Sequence, residues 1–176
     1  MARIMRAFIS LTMRGRSDED IRNDIRKAKA VARALIALPA DGDSTDLVKK
    51  KLHARKLLQD NLLPDNIFCE PLSFMHNMDC TIPEDTKHMI TNERLYYLGE
   101  AFKQISKCDA LIIYSHENAI DGTGVIMEKT AAFNYGIAVV IQITEHDEYY
   151  TIDFLGKDYD FDIFVIKRFS LQKSEV

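Results

Sequence analysis

Glu128 stands out for its setting. It closes the run Asp121-Gly122-Thr123-Gly124-Val125-Ile126-Met127-Glu128. Two glycines permit a tight turn and a close backbone approach to a ligand. The apolar residues after them begin a helix at about Val125, with Glu128 on its first turn. A carboxylate there meets the positive end of the helix dipole and remains ionised. It can then act as a nucleophile or as an electrostatic partner for a sugar cation. The same position equally suits an ordinary glutamate that stabilises the start of its helix.

A second candidate is the loop Thr12-Met13-Arg14-Gly15-Arg16-Ser17. Two guanidinium groups flank a glycine, and a helix begins at Ser17 or Asp18. Backbone N–H groups at a helix start, beside two arginines, form a cradle for phosphate or carboxylate. The alternative is that both arginines pair with Asp18, Glu19 or Asp20. Neither GxxxxGK[ST] nor GxGxxG occurs, so the loop is not one of the common nucleotide fingerprints. His116-Glu117-Asn118 precedes the glycine turn. His116 or Glu117 is a candidate acid for a leaving group, and the alternative for His116 is a solvent-facing loop histidine.

These loops need elements to hold them. Ala7-Phe8-Ile9-Ser10-Leu11 is a short apolar run and reads as a buried first strand. Ile21, Ile25, Ala28, Ala32 and Leu35 recur at steps of four and three, which predicts one apolar stripe on a helix reaching about Leu38. A second helix is expected from Asp46 to about Leu62, and a strand from Ile67 to Leu72. Ser73 to Asp85 reads as irregular. A third helix is expected from Thr91 to Ser106, with Leu95, Leu98, Phe102 and Ile105 on one face. Asp109 to Tyr114 is a continuous apolar strand of the kind buried on both faces of a parallel sheet. A helix from Val125 to Tyr135 ends at Gly136, and a strand follows from Ile137 to Ile143. Tyr149–Leu155 and Ile163–Ile166 add β structure in the tail.

Alternating strands and helices predict an α/β fold. The expectation is an open, mostly parallel Rossmann/flavodoxin-like sheet of about five strands. Helices cover both faces, and a C-terminal β addition follows. The α/β domain is expected over 1–144, and a β-rich extension packed on it over 145–176. Ligands of such sheets sit beyond the carboxyl ends of the strands, which points to the loops after Leu11, Leu72 and Tyr114.

The 176 residues are 47% hydrophobic and 28% charged, with a net charge of −4, ordinary values for a globular domain. That balance argues against a grip on a nucleic-acid polymer. No apolar run reaches the ~20 residues of a membrane span, and the first ten residues carry no signal-peptide core. Cys69, Cys80 and Cys108 lack CxxC spacing, and His53, His76, His88, His116 and His146 lack HxxxH or HExxH spacing. No disulfide framework, metal or cofactor is expected, and the thiols read as reduced and cytoplasmic.

Three stretches together resemble the nucleoside 2-deoxyribosyltransferase-like superfamily, and within it the DUF4406-type branch. Phe8 to Arg16 is similar to its first strand and ligand loop. Tyr96 to Glu100, followed by Lys107 to Ala110, is similar to the helix and strand before the site. Asn118 to Glu128, then Ala132 and Gly136, is similar to the motif G-x-x-x-E-x-x-x-A-x-x-x-G that bears the catalytic glutamate. Together they span most of Arg6 to Ile143. The resemblance implies Glu128 as the nucleophile on the anomeric carbon of a deoxyribonucleoside or its monophosphate. It implies transfer of the sugar to another base or to water, and a homo-oligomer. The residues expected to touch substrate are Phe8, Ser10, Thr12, Arg14, Gly15, Arg16, His116, Asn118, Gly122 and Gly124. The chain departs from the pattern at two places. Phe8 stands where a tyrosine is common, and Ala101 stands where an aspartate near the leaving base is usual. A module that binds a nucleotide without cleaving it is the alternative.

Overall fold

The computed structural model describes residues 5–36, 41–46, 48–49, 52, 72–137, 139–155 and 164–167. The chain runs β1 (Met5–Ser10), α1 (Asp18–Ile36), β2 (Leu72–Met75), α2 (Glu93–Ile105), β3 (Ala110–His116), α3 (Thr123–Asn134), β4 (Val139–Glu145), β5 (Tyr149–Leu155) and β6 (Phe164–Lys167). The strands form one sheet in the order β2-β1-β3-β4-β5-β6. The first four are parallel. β5 and β6 extend the sheet antiparallel beyond β4. This is the expected α/β class, with the β addition of the tail joined to the sheet edge.

Strand alternation sorts the core into two layers. Ala7 and Ile9 of β1, Ile112 and Tyr114 of β3, and Ile141 and Ile143 of β4 pack against Ile21, Ile25, Ala28, Val31 and Ala32 of α1. On the other face Phe8, Leu111, Ile113 and Val140 pack against Ala101 and Ile105 of α2 and Val125 and Ala132 of α3. The first turn of α1 carries Asp18, Glu19 and Asp20 at its positive end, and Ser17 Oγ accepts from Asp20 N at 3.2 Å. Asn92 Oδ1 caps α2 by accepting from Leu95 N at 3.1 Å. Gly136 follows α3 in the left-handed region, at φ 70°.

Several expectations shift. β2 begins at Leu72, after Pro71, and takes Ser73 to Met75 from the segment read as irregular. Its four residues pair with Met5 to Phe8. Leu95 is exposed, so the buried stripe of α2 is carried by Ala101 and Ile105. Of the helix expected at 46–62, Thr45, Asp46, Val48, Lys49 and Leu52 are helical, and the remainder lies outside the described residues. Residues 67–71 of the expected second strand, and Cys69 with them, also lie outside. Cys80 and Cys108 are free thiols. Among the described residues no helix is long and apolar enough to cross a membrane.

Candidate functional site

The order of the sheet reverses between β1 and β3. The chain steps out to β2 and returns across β1 to β3, which opens a crevice at the carboxyl ends of those two strands. A cavity of about 530 Å³ lies there. β1 and its loop contribute Phe8, Thr12 and Arg14. The turn into α3 contributes Gly122, and α3 itself contributes Gly124 and Glu128. Six of the residues singled out from the sequence therefore share one cavity.

Glu128 is 7% exposed, and Ser10 Oγ donates to its Oε2. Ser10 is itself buried at the end of β1. Burial pushes the carboxyl up to about 7, and the Ser10 hydroxyl only partly opposes this. This corrects the expectation of a fully ionised carboxylate on the first helical turn. The helix begins at Thr123, two residues earlier than expected, so Glu128 is its sixth residue and lies on the second turn. The dipole's benefit fades beyond the first turn. From the second turn a side chain leans back toward the helix start, and this brings the carboxyl to Ser10.

The glycine turn serves two separate ends. Gly122 N donates to Thr12 Oγ1 at 2.9 Å, which ties the α3 turn to the β1 loop. A Cβ at Gly122 would stand 3.2 Å from Thr12 Oγ1 and 3.3 Å from its Cγ2. At Gly124 nothing lies within 4 Å of a Cβ, so that backbone borders open cavity.

The remaining candidates lie elsewhere. Arg16 turns to the other face of the sheet. Its Nη2 meets Asp24 Oδ2 at 2.6 Å, and its Nη1 donates to Thr12 O at 3.1 Å. Its partner is Asp24, one turn beyond the acidic residues at the start of α1. His116 ends β3 beside Tyr114 on the α1 face, because strand side chains alternate. Its Nε2 stands 2.7 Å from Asp24 and its Nδ1 2.9 Å from Glu145. Gly15 takes φ 75° in the loop, and Asn118 takes φ 62° in an exposed turn. None of these four lines the cavity.

Asp24, His116 and Glu145 bring ligand-type atoms within 4.8 Å of one another, a spacing a metal ion could use. Both carboxylates are already matched by cations, Asp24 by Arg16 and Glu145 by Lys27 at 2.7 Å. Burial pushes the Glu145 carboxyl up, but Lys27 first, then the Tyr114 hydroxyl and His116, outweigh it and hold the group below its usual value. The cluster works as an ion-pair network that pins the β1 loop to α1, β3 and β4.

Sequence reasoning missed the far wall. Arg94, Tyr97 and Leu98 of α2 line the cavity, with Asn77 from the segment after β2. The signal was present in the spacing: positions 94, 97 and 98 share one helical face. Ala101, one turn further along, is fully buried in the core and does not reach the cavity.

The fold and this cavity define an open-sheet α/β protein with a pocket at its topological switch point. Comparison with family models, curated proteins and solved structures gives no match.

Proposed function

We propose that the cavity takes a nucleoside or nucleoside monophosphate and that Glu128 attacks its anomeric carbon. The observation that carries this reading is a buried carboxyl, oriented by Ser10, in the wall of a cavity at the switch point. The carboxylate oxygen forms an ester bond to C1′, and the N-glycosidic electron pair leaves with the base. Water or a second base then attacks C1′ and releases Glu128 as a carboxylate. Only the ionised form can attack, so a carboxyl held near 7 passes between idle and active forms around neutral pH. The resemblance to nucleoside 2-deoxyribosyltransferase-like proteins supports the same assignment.

A second reading is favoured by one observation. Among the described residues that line the cavity, Glu128 is the only carboxyl group. A partner acid for the leaving base is not among them, and a module that holds a nucleotide intact needs none. The test is a panel of deoxynucleosides and their 5′-monophosphates with the purified protein, read by chromatography for free base. Base release that Glu128→Ala abolishes supports cleavage. Binding without base release supports the module.

A further inference from the structure

The start of α3 is fastened to the chain after β1 by a bond that is not its own cap. Gly122 is the N-cap of α3 and has no side chain to serve the helix start. Its carbonyl accepts the first intrahelical bond, from Ile126 N at 3.2 Å. Its N–H goes instead to a side chain from another element, Thr12 Oγ1, at 2.9 Å. Thr12 is braced in turn from behind. Its carbonyl accepts from Arg16 Nη1 at 3.1 Å, and Arg16 is paired with the buried Asp24 of α1. The second fastening is the bond from Ser10 Oγ to Glu128 Oε2. Apolar packing does not do the same work. Val125 and Ala132 seat α3 against Phe8, Leu111, Ile113 and Val140. Such burial is non-directional, so it leaves the helix free to slide and turn a little on the sheet.

We propose that Thr12 is a positioning residue for Glu128: by receiving the Gly122 N–H, its hydroxyl sets the slide and rotation of α3 that hold the carboxyl against Ser10 in the cavity wall. The inference rests on the reading of Glu128 as the attacking group. The spans agree with a two-point attachment. Ser10 and Thr12 are two residues apart, at most ~7 Å along the chain. Gly122 and Glu128 are six residues apart, ~9 Å along the helix axis, and the Glu128 side chain leans back toward the helix start. Both bonds therefore form together, and either one alone would leave a pivot. The role differs from the substrate contact that the sequence suggested for Thr12. It uses the oxygen as an acceptor toward α3 and needs no ligand. Without that acceptor the Gly122 N–H loses its partner and α3 is released to shift. A misplacement of ~1 Å at a reacting group can cost about a hundredfold in rate.

The test compares the wild-type chain with Thr12→Val, Thr12→Ser and Thr12→Ala. Valine keeps the shape and loses the acceptor. Serine keeps the acceptor and loses the methyl group. Alanine also loses the acceptor and replaces valine in the comparison should that variant fail to fold. Two readouts are taken: steady-state kinetics of base release from deoxynucleosides, and a carbon-13 NMR titration of the Glu128 carboxyl, identified by its absence in Glu128→Gln. Thr12→Val and Thr12→Ala should lower kcat at least tenfold and change KM less than threefold. They should also raise the pH at which Glu128 titrates, because a carboxyl drawn off Ser10 loses the bond that opposes burial. Thr12→Ser should recover both, a pattern that a merely structural role would not produce. If Thr12→Val changes KM alone while Glu128 titrates as in the wild type, Thr12 is a ligand contact and the positioning role is overturned. If Thr12→Ser behaves like Thr12→Val, the methyl group matters rather than the hydroxyl, and the proposal is overturned as well. The titration needs no turnover. If the wild type releases no base, yet Thr12→Val moves the titration and Thr12→Ser restores it, the positioning role stands and the cleavage reading falls. If base is released and neither kcat nor the titration moves in Thr12→Val, the positioning role falls and cleavage survives.

Discussion

Ser10 and Glu128 stand 118 positions apart in the chain, and the Ser10 hydroxyl donates to Glu128 Oε2 with both side chains buried. The bond ties the end of β1 to the second turn of α3, across the point where the sheet reverses its order. It also opposes the upward push of burial on the carboxyl. Orientation and ionisation of the same group thus depend on one hydroxyl.

Ser10→Ala tests that dependence. Without the donor the Glu128 carboxyl should titrate higher still, because the only opposing influence is removed. The acidic limb of a pH–rate profile for base release should move to higher pH. At pH 7 the rate should drop several-fold, and at pH 9 most of it should return. An unchanged limb would mean that the hydroxyl does not tune the carboxyl.

Glu128→Gln separates stability from chemistry. The folded state holds the proton up to about pH 7, whereas the unfolded chain releases it near 4.5. The folded protein therefore binds more protons between those values, and its stability falls as pH rises from 4.5 to 7. Below pH 4.5 both states are protonated and the penalty vanishes. Replacing the acid by its amide should raise stability at pH 8 by about 3 kcal/mol and leave it nearly unchanged at pH 4. Urea unfolding of both proteins at pH 4, 6 and 8 reads this directly. Base release should be lost and ligand affinity largely kept, since the lost interaction belongs to the transition state.

Gly124→Ala should push stability and binding in opposite directions. A methyl group at this helical position meets no atom within 4 Å, so the helix should gain up to about 1 kcal/mol. The same methyl projects beside the cavity and should weaken ligand binding. Gly122→Ala differs because its Cβ would press on Thr12 Oγ1 and Cγ2. It should lower both the melting temperature and ligand affinity. Thermal unfolding and calorimetry on the two variants distinguish the positions.

Asp24→Ala should strike the loop from behind. Asp24 is 2% exposed and holds Arg16 and His116. Its removal leaves two cationic or hydrogen-bonding side chains without their buried partner, at a cost of about 3 kcal/mol. Arg16 also donates to Thr12 O, so the loop that carries Arg14 should loosen. Ligand affinity should fall although Asp24 does not line the cavity. If denaturant unfolding shows the loss while affinity holds, the network is structural only.

Much of this was readable in the chain. The spacing of Ile21, Ile25, Ala28 and Ala32 marks the buried face of α1, because a helix repeats every 3.6 residues and needs an apolar stripe to pack. The continuous run from Ala110 to Tyr114 marks a strand covered on both sides, and the alternation of strands with helices points to a parallel sheet. The pairing of Glu128 with the β1 loop was legible as well, because loops after parallel strands meet at one edge of the sheet. These are local periodicities and chain-order rules, which act on neighbouring residues.

Only the tertiary structure decided the rest. Which arginine faces the cavity depends on where Asp24 stands once α1 has packed, and the ion pair turns Arg16 away. The far wall of Arg94, Tyr97 and Leu98 comes from a helix that packs beside α3 on the same face of the sheet. His116 leaves the cavity because the alternation of β3 sends it to the α1 side, where two buried carboxylates wait. The ionisation of Glu128 depended on burial and on a hydroxyl from a distant strand. Each of these is set by desolvation and pairing between residues far apart in the chain. Sequence spacing carries no measure of either quantity, and both appear only when the layers close.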